Sequence, residues 1–188
     1  MKTKNTGVLS SECSIRCDIW GGVRGAPCTR LLKKEVRRQF ERPDDLQVFG
    51  YTVEEKERVN RFIDANNQAH IWPILVEEGL TKEDCLAILQ RVGIELPAMY
   101  KLGYRNNNCI GCVKGGAGYW NKIRDDFPDI FKQRCEQSRR IGARLIKNSQ
   151  GERIFLDELP QGFGHYPSEK DFQCGIMCEL AEKMITED

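Results

Sequence analysis

Histidine is almost missing from this chain. The two that occur, His70 and His165, lie far apart in the sequence, which leaves little basis for a histidine zinc site or for Ser-His-Asp chemistry. Long apolar runs are missing too. No stretch approaches the roughly 18 consecutive apolar residues that a bilayer-crossing helix needs. Charge of one sign is not in excess either: 29 Lys+Arg stand against 28 Asp+Glu, a formal net charge of +1. That balance excludes a global basic field for nucleic acid and leaves only local patches. Met1–Thr6 is basic, but no apolar segment of the secretory kind follows, so a cytoplasmic protein without a signal peptide is expected. There is no internal repeat and no low-complexity segment.

Cysteine is what the chain has in abundance. Nine fall among 188 residues. The number is odd, and in a reducing compartment clustered cysteines read as metal-binding or catalytic groups rather than a disulfide framework. At this length one domain, residues 1–188, is the expectation.

The hydrophobic pattern predicts alternating helices and strands after an irregular segment 1–23. Thr29 is a candidate N-cap for a helix to Arg42, with Leu31, Leu32, Val36 and Phe40 as its apolar stripe and Pro43 as its stop. Leu46–Gly50 reads as a strand. Thr52-Val-Glu-Glu55 has the form of a capping box and opens a helix with Val59, Phe62 and Ile63 inward. His70–Val76 is a second strand, with Pro73 marking a bulge or an end. Thr81-Lys-Glu-Asp84 caps a helix through Leu86, Ile88, Leu89 and Val92, stopped by Gly93. Residues 94–119 read as loop. Helices follow through Trp120 and Ile123 and, after Pro128, through Ile130, Phe131, Cys135 and Ile141. Ala143–Lys147 and Arg153–Leu156, joined by Asn148–Gly151, predict a hairpin, and Ser168–Met184 a closing helix. The order favours an α/β fold with a mainly parallel sheet flanked by helices and a cysteine-rich C-terminal region. The α/β core is expected in 24–93.

Cys109-Ile-Gly-Cys112 is the sharpest local feature. Two thiolates at this spacing on a tight turn can grip one metal, and a glycine between them frees backbone N–H groups to hydrogen-bond the sulfurs. Cys174 and Cys178 stand at helical spacing, on one helix face. With Cys28 these give enough thiolates for a four-sulfur site, holding zinc or an iron–sulfur cluster of the 4Fe-4S type; spacing does not separate the two. Cys85 and Cys135 fall on apolar helix faces and read as core residues. For Cys13 and Cys17, ligand and exposed thiol both stand.

The stretch Leu96-Pro-Ala-Met-Tyr-Lys-Leu-Gly-Tyr-Arg-Asn-Asn-Asn-Cys-Ile-Gly-Cys-Val-Lys-Gly-Gly116 resembles the phosphoadenosine phosphosulfate reductase-like family of the PP-loop superfamily. More narrowly it resembles the branch found in phages and mobile elements, related to DNA sulfur-modification proteins. Pro27-Cys-Thr-Arg-Leu-Leu-Lys33 is similar to the family's first cysteine motif. Phe49–Arg58 is similar to its G-x(4)-E-x-x-R segment, and Gln173-Cys-Gly-Ile-Met-Cys-Glu179 to its C-terminal cysteine motif. The resemblance spans about residues 24–180. It implies an adenine nucleotide alpha-hydrolase-like fold and reductase or sulfur-transfer chemistry on an adenylyl-sulfate-type substrate. It also implies Cys174 as nucleophile, and Lys33, Glu55, Arg58 and Lys114 around nucleotide or substrate.

The departures are specific. The family's Ser-Gly-Gly-x-Asp-Ser phosphate loop does not occur, so the chain is read as truncated at its N-terminus. Gly21-Gly22 and Gly115-Gly116 are not substitutes, since neither follows a strand and opens a helix in the required arrangement. Met177 stands where the C-terminal motif has histidine, and only Cys28 stands where the first motif often has two cysteines. For Cys174 the position one turn before Cys178, some way into the closing helix, favours ligand over nucleophile. Lys33, Glu55 and Arg58 equally fit a solvated helix face with an ordinary salt bridge, and Lys114 an exposed lysine.

Two functions therefore stand. One is a reductase-like protein with a thiolate-bound metal, its enzymology retained or lost. The other is a non-catalytic, phage-encoded binding or inhibitor protein of the anti-defence type, with a structural metal. It would act on a host protein or nucleoprotein from the host cytoplasm, using the basic runs Lys33–Arg38 and Arg139–Arg144. An adenine nucleotide partner depends on the missing loop, no membrane partner is expected, and an exposed sheet edge would invite a homodimer.

Overall fold

The computed structural model describes residues 35–66, 69–170 and 172, and these fall into two compact units. One runs from Val36 to Gly103. The described part of the other runs from Tyr104 to Lys170, with Phe172.

The first unit is a small α/β module. Its elements are α1 (Glu35–Arg38), β1 (Leu46–Val48), α2 (Lys56–Ala65), β2 (His70–Trp72), α3 (Ile74–Glu77), α4 (Lys82–Arg91) and α5 (Ala98–Lys101). Strands β1 and β2 pair in parallel, Leu46 opposite His70 and Val48 opposite Trp72. Parallel partners need a crossover, and α2 supplies it. Val59 and Phe62 on α2 are buried, as its apolar face requires, whereas Ile63 is exposed. Phe62 meets Phe49 edge-on at 4.9 Å, and Met99 of α5 adds to the core. Pro73 ends β2 four residues short of the predicted Val76, because its ring cannot donate to a ladder; the chain turns into α3 instead. Thr81 caps α4 as expected, its hydroxyl accepting from the Asp84 amide at 3.1 Å and its amide donating to the Asp84 carboxylate at 3.0 Å. The predicted loop 94–119 proves to hold α5, one turn started by Pro97. Of the predicted helix Thr29–Arg42, residues 35–42 are described: α1 covers Glu35–Arg38, and the chain leaves the helix four residues before Arg42.

The second unit is mainly helical. It contains α6 (Ala117–Asp126), α7 (Pro128–Arg140) and a hairpin of β3 (Ile146–Lys147) and β4 (Arg153–Ile154). The Asn148 side chain accepts from the amides of Gln150 and Glu152 at 3.0 and 2.9 Å, which fixes the turn between the strands. The core is Tyr104, Tyr119, Trp120, Ile123, Phe131, Ile146, Leu156 and Leu159. After Leu156 the chain runs back along α6 as a strap. Asn121 donates to the carbonyls of Pro160 and Phe163, and Arg124 to that of Leu159 at 2.7 Å. Ser168 closes a short turn, Tyr166–Ser168, and Glu169 after it is extended, so no helix starts at Ser168. The rest of the predicted closing helix lies outside the described residues. Among the described residues the architecture is α/β, with two small two-stranded sheets, one parallel and one antiparallel. No helix among them is long and apolar enough to cross a membrane.

Candidate metal centre

The turn Cys109–Cys112 precedes α6, with Cys109 exposed and Cys112 half-buried. Gly111 adopts φ +73°, a left-handed conformation that other residues reach only at a cost. This conformation aims two successive amides at one point. The point is occupied by the phenol of Tyr119, which accepts from the amides of Gly111 and Cys112 and donates to the Cys109 carbonyl, each at 3.1 Å. The expectation that these amides serve the sulfurs is therefore corrected: a phenol oxygen takes both. Burial holds the Tyr119 hydroxyl well above the usual phenol range, so it stays protonated and keeps its donor.

Packing fixes the phenol in place. A Cβ on Gly115 would stand 2.6 Å from Cγ of the Tyr119 ring, and nearer still to Cδ1. The ring also meets Tyr104, Tyr166, Trp120 and Phe172. Behind Gly111 lies Arg134, 5 % exposed and hydrogen-bonded to Gln137 at 2.6 Å.

The strap ends at the same place. Asn106 and Asn108, just before Cys109, donate to the Phe172 carbonyl at 3.4 and 3.0 Å, and the Phe172 ring meets Tyr119 edge-on at 5.0 Å. Arg105 gathers the carbonyls of Tyr166, Pro167 and Glu169. The Glu169 carboxylate caps α6 from outside, accepting from the amides of Gly118 at 2.6 Å and Tyr119 at 3.1 Å. Gly116 does open a helix, but turns rather than a strand precede it, and Glu169 fills the position an anion would take.

Comparison with protein-family models, with curated proteins and with solved structures finds no match.

Among the described residues, no three His, Cys, Asp or Glu side chains gather closely enough to hold an ion. Cys109 and Cys112 thus offer two ligands. The others predicted, Cys28, Cys174 and Cys178, lie outside the described residues, as do Cys13, Cys17 and Lys33. Lys114 is half-buried two residues beyond the turn. Glu55 and Arg58 belong to the other unit, where they form an ion pair, with Arg58 4.8 Å above the Tyr51 ring and Glu55 also accepting from the Thr52 amide. In the run Arg139–Arg144, Arg139 is bound to Asp157 and Glu158 and stacks on Phe155 at 4.1 Å.

Cys85 and Cys135, read as core residues, are half-buried. Burial, with Asp157 adding to it, pushes the Cys135 thiol up to about 11, and burial raises Cys85 as well. At pH 8 the Cys135 thiol is neutral and so a poor nucleophile. Limited alkylation of the reduced, metal-free protein, read by peptide mass spectrometry, is expected to label Cys109 well before Cys135. The reverse order would contradict this burial.

Sequence reasoning did not find Tyr119, Arg134, Glu169 or the Arg105–Asn108 clasp. The one local signal is the Gly-Gly-Ala-Gly-Tyr run, read above only as loop, since a glycine lets another group approach the backbone closely.

Proposed function

We propose that the chain is a phosphoadenosine phosphosulfate reductase-like protein whose Cys109–Cys112 turn is half of a thiolate metal site, completed from Cys174, Cys178 and Cys28. The observation that carries this reading is the clasp on Phe172. Cys174 follows two residues later, and two residues of chain span at most about 7 Å. A chain held by Asn108 at Phe172 has its next cysteine two residues along from a contact that lies beside Cys109, which supports the pairing. The donor set is all sulfur, which suits zinc or a 4Fe-4S cluster. A cluster would supply electron transfer, and zinc would tie the C-terminal chain to the turn. The protein's own residues hold the turn through Tyr119.

In this reading the β1–α2–β2 module is one unit of an adenine nucleotide alpha-hydrolase-like sheet. Glu55 and Arg58 of that module would then face nucleotide. The mutual pairing of Glu55 and Arg58 fits an ordinary salt bridge. Isothermal titration with adenosine phosphosulfate, its 3′-phosphorylated form and ATP is expected to show no heat. A saturable titration with any of the three would restore the enzyme reading.

A second reading, a non-catalytic binding or inhibitor protein acting on a host protein, is favoured by one observation. Leu46 and Val48, 59 % and 56 % exposed, stand beside His70 and Trp72 on one face of a parallel sheet, a sheet type that proteins cover on both faces. Substituting Leu46→Glu with Val48→Glu should abolish copurification of a host protein if that face binds it. Undiminished copurification would exclude the face.

A further inference from the structure

We propose that Tyr119 is a positioning residue that withholds the Gly111 and Cys112 amides from the Cys109 sulfur. The inference deepens the metal-site reading and rests on it. A phenol has one O–H donor and two acceptor lone pairs, and here all three are committed to one turn. The hydroxyl donates to the carbonyl of Cys109, and the lone pairs receive the amides two and three residues along.

Amides two and three residues after a cysteine, in a turn whose intervening glycine is left-handed, form a concavity that suits one electron-rich atom. A thiolate is the natural occupant when such a turn binds metal, and hydrogen bonds to ligating sulfur draw electron density from it. Giving the concavity to a phenol oxygen leaves the Cys109 sulfur with more of its charge to share with the metal. The arrangement is built rather than incidental. Gly115 is bare where any side chain would strike the ring, and Phe172, Tyr104, Tyr166 and Trp120 surround it. The same ring that sets the turn also meets Phe172 of the strap edge-on.

The test is Tyr119→Phe, which keeps the ring and removes the oxygen. In the cobalt(II)-loaded protein the variant is expected to bind the same amount of metal. Its thiolate-to-cobalt charge-transfer band should move to shorter wavelength, because the released amides turn to the sulfur. An iron–sulfur form would show a more positive midpoint potential. Equal loading with an unmoved band or potential overturns the proposal. If the wild-type protein takes up no cobalt, the metal-site reading fails by itself. Amide hydrogen exchange in the metal-free protein then decides the role of Tyr119. Exchange at Gly111 and Cys112 faster by tenfold or more in the variant, with the Ile123 amide unchanged, supports the positioning role, and unchanged exchange at all three overturns it.

Discussion

Replacing Gly118 with alanine is expected to destabilise the unit that carries the metal turn by about 3 kcal/mol. A Cβ at this position would stand 2.8 Å from the carbonyl carbon of His165 and nearer still to the Tyr166 amide nitrogen. Both obstacles are backbone, so no rotamer change relieves the clash. The opposing chain has a glycine there as well: a Cβ on Gly164 would meet the Gly118 amide and the Ala117 carbonyl. Two backbones thus cross where α6 begins, and the crossing lets Glu169 reach the amides of Gly118 and Tyr119. Overpacking in a tight core costs about 1–3 kcal/mol and occasionally more, and the lost cap adds about 1 kcal/mol. A total of about 3 kcal/mol corresponds to a melting temperature lower by about 6–12 °C for a chain of this size. Differential scanning calorimetry of Gly118→Ala measures it. A fall below about 2 °C would mean that strap and helix do not cross this closely.

The second large effect is chemical. Cys109→Ser with Cys112→Ser is expected to remove bound metal altogether, since a serine hydroxyl is neither soft nor readily deprotonated. Structural zinc is worth about 10–16 kcal/mol of apparent binding free energy in small zinc modules, so losing two of four thiolates leaves no tight site. Metal analysis of the purified variant is the measurement. The fold of the metal-free chain should survive, because the serine hydroxyls disturb neither Tyr119 nor the Phe172 clasp, and far-ultraviolet circular dichroism checks this. Full metal retention by the double variant would place the site elsewhere, on the cysteines outside this turn.

What could be read in the sequence was local. The Thr81–Asp84 capping box, the Asn148–Gly151 turn and the two strands of the parallel pair each rest on residues within a few positions of one another, so short-range chemistry decides them. Pro73 signalled an interruption, although not that a helical turn would replace the strand's end. The Cys109–Cys112 spacing was equally legible. What holds that turn was not, because its supports come from far along the chain. Glu169 lies some fifty residues from the amides it caps, Phe172 more than sixty from Asn108, and Arg134 reaches Gly111 from another helix. Tyr119 is nearer, but a tyrosine in a glycine-rich stretch reads as ordinary core until its hydroxyl is placed. Burial of Arg134, Gln137 and Ser138 on the inner face of α7 also defied the pattern, since a polar residue at a helical core position looks exposed from sequence alone.

The most direct measurement is the metal content and absorption spectrum of the full chain purified without oxygen. About one zinc per chain, or four irons with a broad visible sulfur-to-iron band, is expected, with Cys109 and Cys112 protected from alkylation until the metal is stripped. A metal-free protein in which all nine thiols react at once would contradict a thiolate site on this turn.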